Sequence, residues 1–171
     1  GIRRRACLAM SAQEKGLASD EIQFIERGKG KTMWVGTRSA LCRYDGKAFK
    51  RVIKGQAFDV LPLAAGHCYI GTQNGVIEYK DGERIKHLCK GFQVVPIFKR
   101  ADGSFWCFGK QHGTERNMVL AWNGEQAGPV EALQDKRLED MFQDSRGGIW
   151  ITVAGNGVLE VAPGVAAKDA V

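Results

Sequence analysis

A pattern of short strands and glycine turns recurs four times along the chain, and such a repeat restricts the possible folds more than any other feature of this sequence. The clearest marker of the repeat is an aromatic residue after a turn, present at Trp34, Tyr69, Trp106 and Trp150. The spacings between these residues are 35, 37 and 44. Because the repeated segments are short, rich in β-branched and aromatic residues and bounded by glycine, they predict strands and not helices.

The period of the repeat and its turns predict the architecture. A period near 40 residues is that of a four-stranded propeller blade. Asp-Gly, Asn-Gly and Gly-Gly pairs supply the positive φ angles that tight hairpins require. We therefore predict an all-β fold, a β-propeller built from four four-stranded blades within a single domain, 1–171. The predicted blades span residues 20–54, 55–90, 91–134 and 135–162. The fourth strand of the third blade is predicted at about Gln126–Leu133.

The fourth repeat lacks a final strand, because Val161 is followed by Ala162-Pro163-Gly164 and a run of small residues. The N-terminal part of the chain carries an additional apolar segment, Ala6–Met10. Aligned with the other repeats, this segment occupies the position of an outer strand. We predict that the N-terminal strand, residues 5–10, closes the last blade, so that both ends of the chain pair in one sheet.

Charge and hydropathy limit the partners. The net charge of +6 is spread along the chain apart from Arg3-Arg4-Arg5, which indicates a solvated surface and argues against nucleic-acid binding. No apolar run approaches the roughly 20 residues of a membrane helix. The basic start of the chain lacks the apolar stretch of a signal peptide. We therefore expect neither a membrane segment nor a nucleic-acid partner.

The cysteines are odd in number and form no Cys-x-x-Cys pair, which argues against a zinc site. We interpret them as buried free thiols that serve as small apolar residues, a usage that favours a reducing compartment such as the cytoplasm. They stand at Cys7, Cys42, Cys68, Cys89 and Cys107.

Motifs for catalysis or cofactor binding are incomplete. The run Gly28–Thr32 is similar to a phosphate-binding loop, but Ile25 stands where that motif needs its first glycine. The three histidines, His67, His87 and His112, have no metal-ligand spacing. We predict no catalytic residue, no metal and no cofactor.

An insertion at Lys110–Met118 departs most clearly from the repeat, and insertions of this kind map to loops on one face, often the binding face. The insertion joins the second and third strands of its blade, and we predict that the equivalent connections of the other blades lie around the same mouth. A longer surface loop without a function is an equally good interpretation. The predicted ligand-binding residues are Arg38, Gln73, Asn74, Lys110, His112, Arg116 and Asn156.

The runs Gly16–Ile22, Met33–Thr37 and Leu41–Lys47 resemble the two-component regulator propeller repeat, and Asp144–Ile151 matches the middle element of that repeat. In that family, the repeats form seven-bladed propellers in the periplasmic sensing parts of bacterial hybrid kinases and cyclase-type regulators. The resemblance implies a non-catalytic module that binds a small molecule, a glycan or a protein, and a periplasmic location. The cysteines and the missing signal peptide favour the cytoplasm instead.

Four repeats are fewer than the family pattern. The chain is therefore a fragment of a larger propeller, a four-bladed ring, or half of a ring that a second copy completes as a homodimer. Two alternative functions belong to other classes. One is a small lyase or hydrolase that uses His112, as in some propeller lyases of antibiotics, and the other is a structural scaffold whose role is self-association.

Overall fold

The computed structural model describes residues 16–114, 116–123 and 127–165. These residues form four antiparallel sheets, which confirms the all-β prediction. The chain divides into two compact units, Gly1–Gln56 and Ala57–Val171. The first unit holds one sheet, and the second unit holds three.

The strands follow one another in chain order within every sheet. In the first unit the strands are β1 (Ile22–Arg27), β2 (Met33–Thr37), β3 (Ala40–Tyr44) and β4 (Phe49–Lys54). The second sheet holds β5 (Ala57–Ala64), β6 (His67–Thr72), β7 (Gly75–Lys80) and β8 (Glu83–Leu88). The third holds β9 (Phe92–Lys99), β10 (Phe105–Gln111), β11 (Asn117–Trp122) and β12 (Ala127–Pro129). The fourth holds β13 (Leu138–Gln143), β14 (Ile149–Val153) and β15 (Gly157–Val161).

Two details of the predicted blades differ from the structure. The last strand of the third sheet ends at Pro129, and Glu131–Leu133 form a 3₁₀ turn instead of the predicted strand. The Val130 N–H still donates to the Val119 carbonyl at 2.9 Å. Beyond it, the N–H groups of Leu133 and Gln134 donate to the carbonyls of Val130 and Glu131, so local bonds replace the ladder. The predicted strand at residues 5–10 lies outside the described residues, and the described part of the fourth sheet has three strands.

The insertion lengthens a hairpin. Strands β10 and β11 pair as far as Lys110 opposite Asn117, so part of the inserted sequence continues the ladder. The tip turns at His112 and Gly113, where Gly113 has a φ of 72°. The additional residues therefore carry the β10–β11 connection farther than the corresponding connection of the second sheet.

Two apolar cores hold the three sheets of the second unit together. Tyr69 of the second sheet packs against Phe105 and Trp122 of the third, with ring centroids 4.7 Å and 5.3 Å away. Trp106 of the third sheet packs in the same way against Met141 and other buried residues of the fourth. The repeated aromatic residue therefore fills the space between one sheet and the next, as a packed sheet face requires.

Several turns use the predicted chemistry. The Asp45 carboxylate accepts hydrogen bonds from the N–H groups of Lys47 and Ala48, at 3.0 Å and 3.1 Å. Asp102 accepts one from the N–H of Ser104 at 2.9 Å. Gly28–Thr32 is a turn between β1 and β2, closed by a 3.0 Å bond from the Gly28 N–H to the Thr32 carbonyl. The interpretation of this run as a hairpin turn is thereby confirmed.

The turn before Trp150 depends on one carboxylate. Asp144 accepts hydrogen bonds from the N–H groups of Arg146 and Gly148, at 2.8 Å and 2.9 Å, and from Trp150 Nε1 at 3.1 Å. The indole bond is the strongest reason why the pKa of this carboxyl is lowered to about 2, and the backbone bonds add to the effect. Hydrogen bonds to a carboxylate stabilise its charged form.

This pKa shift has a testable consequence for acid stability. A carboxyl whose pKa is lowered by folding stabilises the native state above its unfolded pKa, and this contribution is lost as the pH falls through the folded pKa. We expect Asp144→Asn to lower the melting temperature by a few degrees at pH 7. The difference from the wild type should be constant above roughly pH 5 and disappear as the pH approaches 2. Melting curves of both proteins from pH 2 to 8 measure it, and a difference in melting temperature that stays the same over this whole range would contradict the prediction.

Candidate functional site

An open cleft lies where the β6–β7 and β10–β11 connections approach each other in the second unit. Its volume is about 550 Å³. Its walls come from the second and third sheets. The lining residues are Gln73, Gln93, Lys110, Gln111, His112, Gly113 and Thr114.

The β6–β7 connection has a fixed shape because a threonine side chain closes it. Thr72 Oγ1 donates to the Gly75 carbonyl at 2.9 Å and accepts from the Asn74 N–H at 3.2 Å. In the first unit, Thr37 makes the same two kinds of bond across the β2–β3 connection, donating to the Ala40 carbonyl at 3.0 Å. The Gly-Thr pair at the end of the second strand therefore shapes the connection that follows it.

His112 joins the two walls of the cleft. Its backbone N–H donates to the Gly91 carbonyl at 2.8 Å. Its Nε2 lies 2.6 Å from the Gln73 carbonyl oxygen, and because a carbonyl only accepts, Nε2 is the donor. The N–H of Gly91 in turn donates to Asn74 Oδ1 at 2.8 Å. These three bonds hold the two connections and the chain before β9 in one arrangement.

The cleft offers hydrogen-bonding groups and positive charge. Gln73, Gln93 and Gln111 bring amides that both donate and accept, and Thr114 brings a hydroxyl. Lys110 brings an ammonium group, and none of the lining residues is acidic. Such a surface suits a polar ligand with hydroxyl groups and a negative charge.

The structure brings together three of the seven predicted site residues, namely Gln73, Lys110 and His112. The other four have different positions. Asn74 supports the cleft through Gly91, and Arg116 donates to the Gln134 carbonyl. Asn156 is an exposed residue of the β14–β15 turn. Arg38 belongs to the first unit, where its guanidinium lies 3.6 Å from Glu21.

Four lining residues were not among the predicted site residues, namely Gln111, Gly113 and Thr114 of the insertion, and Gln93. Gln93 is the one that lies outside the insertion. It lies in β9, the first strand of the third sheet, and not in a connection between second and third strands. The repeat alone does not indicate that this strand reaches the β6–β7 connection of the preceding sheet. Among the described residues, no three His, Cys, Asp or Glu side chains are grouped to hold a metal ion. Nor does any described helix have the length and apolar character needed to cross a membrane.

No protein-family model matches the chain, and no curated protein matches it. Solved structures do. The extracellular domain of a putative hybrid two-component system from B. thetaiotaomicron aligns over 85% of this chain with a TM-score of 0.65 and 14% identity. A second structure, described as the extracellular domain of a putative one-component system from B. thetaiotaomicron, aligns over 89% with a TM-score of 0.63 and 14% identity. The fold is propeller-like.

These propeller-like neighbours are consistent with the two-component regulator propeller repeats that the sequence resembles. The chain spans about a quarter of their length, 23% and 26%. YCF48 bound to a D1 peptide is also similar, with a TM-score of 0.60 and 13% identity over 88% of this chain and 54% of that one. At such identities the likeness concerns the fold.

Proposed function

We propose that this chain is a non-catalytic propeller module that binds a ligand in the cleft between the β6–β7 and β10–β11 connections. The observation that carries the proposal is the convergence of Gln73, Lys110 and His112, from two sheets, on one polar cleft. Propeller-like extracellular domains of signalling systems among the structural neighbours support a sensing role. They also fit a protein without enzymatic activity.

The lining favours a small polar ligand with an anionic group, since amides and a hydroxyl line the cleft together with Lys110. Glucose, glucuronate, succinate and inorganic phosphate are suitable probes because they separate hydroxyl content from charge. We expect the anionic probes, and glucuronate above all, to raise the melting temperature of the chain. A chain that binds none of them at millimolar concentration contradicts this choice of ligand.

Substitutions in the cleft test the location of the site. We expect Lys110→Ala and His112→Ala each to lower the affinity for the tightest-binding probe about tenfold, because losing one charged or well-placed hydrogen bond costs about 1.4 kcal/mol. Isothermal titration calorimetry measures the effect. Lys80→Ala, which removes the same charge from the opposite end of the second sheet, is the matched control. Unchanged affinity in both cleft variants would place the ligand elsewhere.

The remaining predicted residues enter the same measurement. Arg116 orients the tip of the β10–β11 connection through the Gln134 carbonyl, so Arg116→Ala should weaken binding less than His112→Ala. Asn156→Ala tests whether the equivalent connection of the fourth sheet contributes to the site. Arg38, of the first unit, stays a predicted ligand-binding residue, and Arg38→Ala enters the same titration.

For a partner, we propose a second copy of this chain, on the outer face of the fourth sheet. Phe142 lies opposite Trp150 in the ladder, so both side chains point away from the core that contains Met141. Phe142 is 63% exposed and Val158 57% exposed. The corresponding faces of the second and third sheets are each covered by the next sheet. A blade from a second copy would cover the fourth in the same way.

The mass in solution tests this pairing. We expect light scattering to give about twice the 18.8 kDa of one chain, and Phe142→Asp to halve that mass because it places a charge on the apolar face. Ile85→Asp, an equivalent change at an exposed position of β8, should leave the mass unchanged. A wild-type chain that stays monomeric at high concentration contradicts the proposal.

A further inference from the structure

Two cysteines of the second unit share one apolar cluster. Cys107 belongs to β10 and is fully buried. Cys89 follows β8, is partly exposed, and packs against the apolar cluster that contains Cys107. Neither cysteine is in a disulfide, and the presence of Cys89 contributes to the raised pKa of Cys107. One thiol is thus partly open to solvent, and the other is buried in the apolar cluster against which the first one packs.

The backbone at Cys89 is unusual. Its φ is 51°, in the left-handed region where glycine is the residue without steric cost. Asp81, in the β7–β8 turn, is the other non-glycine residue with a positive φ among those described, and aspartate tolerates this conformation far better than most residues. A cysteine held in such a conformation beside another cysteine is a reason to look for a role of its thiol.

We propose that Cys89 and Cys107 form a reversible disulfide, so that this pair is a redox-sensitive link between the second and third sheets. The oxidant is a small-molecule disulfide such as oxidised glutathione. The Cys89 thiolate attacks it, forms a mixed disulfide and releases one glutathione thiol. Cys107 then gives up its proton, attacks the Cys89 sulfur and releases the second thiol. Two protein thiols are oxidised, and one external disulfide is reduced to two thiols.

The positions of the two thiols set their order of reaction. Cys89 meets the oxidant because it is the exposed member of the pair. Burial raises the pKa of the Cys107 thiol well above its usual range, and the neighbouring Cys89 adds to the rise. The second step therefore requires a local opening that lets Cys107 lose its proton. We expect slow closure of the disulfide and an accumulating mixed disulfide at early times.

The link would act beside the cleft, although the proposal does not depend on a ligand there. Cys89 stands two residues before Gly91, which accepts the His112 N–H and donates to Asn74. A disulfide at Cys89 ties this segment to β10. We therefore expect oxidation to slow hydrogen exchange at the His112 amide, whose acceptor is the Gly91 carbonyl.

The experiment uses the full chain in a graded series of reduced and oxidised glutathione. Intact mass and peptide mapping should show a loss of two hydrogen atoms and a Cys89–Cys107 cross-link. The melting temperature should rise by roughly 5–10 °C on oxidation and fall again on reduction. Cys42→Ala, at a fully buried cysteine in the first unit, should form the link as the wild type does.

Two variants separate the steps. Cys89→Ser should abolish the cross-link, and Cys107→Ala should stop the reaction at glutathionylated Cys89. If Cys107→Ala fails to fold, the wild type provides the same test. Its intact mass at early times should show glutathione on Cys89 before the disulfide closes. The proposal is overturned if wild-type Cys89 keeps its glutathione indefinitely, stays unmodified, or pairs with another cysteine.

Discussion

Gly75→Ala should destabilise the chain by about 3 kcal/mol, although it adds a single methyl group. Gly75 begins β7 with a φ of 94°. A Cβ atom at this position would lie 2.3 Å from the Leu88 carbonyl oxygen and 2.7 Å from that of Cys89. Both contacts are with backbone atoms, so no side-chain rotation relieves them. Strain at a positive φ costs about 1 kcal/mol, and overpacking against backbone typically adds 1–3 kcal/mol.

Chemical denaturation measures this loss, and another glycine provides the control. Gly155 occupies the β14–β15 connection with a φ of 75°, but nothing lies within 4 Å of the position of its Cβ. Gly155→Ala should therefore show the backbone strain alone, about 1 kcal/mol. If the two variants lose the same stability, the positive φ alone requires glycine at position 75, and the close approach of the Leu88 and Cys89 carbonyl oxygens does not. Cleft binding should also weaken in Gly75→Ala, because the Gly75 carbonyl accepts the Thr72 hydroxyl.

The fold could be predicted from the sequence because its determinants are local. Asp45, Asp102 and the turn at Gly28 act within a few residues of themselves, and their hydrogen bonds are the ones their residue types suggest. The repeated aromatic residue likewise marks the second strand of each repeat, because it directly follows a turn that the local sequence reveals. The predicted strand at residues 126–133 was too long, because local hydrogen bonds of the 3₁₀ turn at Glu131–Leu133 take the place of the ladder.

The candidate site was less predictable because it depends on contacts between sheets. Gln73, Lys110 and His112, which the repeat places in connections between second and third strands, line one cleft. However, Gln93 lines the cleft because β9 packs beside the second sheet, and the bond from His112 to the Gln73 carbonyl spans 39 residues of sequence. A single sequence carries no signal for such pairs, and a structural neighbour with 14% identity adds none.

A buried charge is a second feature that the sequence concealed. Arg100 stands six residues before Trp106, as Asp144 stands six residues before Trp150. It is 2% exposed and lies 4.6 Å from the centre of the Trp106 ring. Its Nη2 donates to the carbonyls of Ala162 and Val165, at 3.1 Å and 2.7 Å. In the fourth repeat, the residue at this position, Asp144, accepts the hydrogen bonds that close a turn. In the third repeat, the equivalent residue, Arg100, binds the segment after β15.

This arrangement makes Trp106→Ala the most damaging core substitution that we expect. Trp106 is completely buried between the third and fourth sheets. Truncating a buried tryptophan costs about 3–5 kcal/mol, and loss of the ring beneath a desolvated arginine adds about 2 kcal/mol. We therefore expect a total loss of at least about 5 kcal/mol, because Arg100 would remain buried beside a cavity. Urea denaturation followed by circular dichroism measures it.

Trp150→Ala is the matched control, because it removes the same side chain at the equivalent position of the fourth repeat. Trp150 is only partly buried and its indole donates to Asp144, so the monomer should lose about 1–2 kcal/mol. The double variant Trp106→Ala with Arg100→Met should recover part of the loss, since it removes the charge left without its aromatic partner. If both tryptophan variants lose equal stability, the third and fourth sheets do not pack through Trp106 as described. If Arg100→Met gives no recovery, the arginine contributes through its two carbonyl bonds and not through the ring.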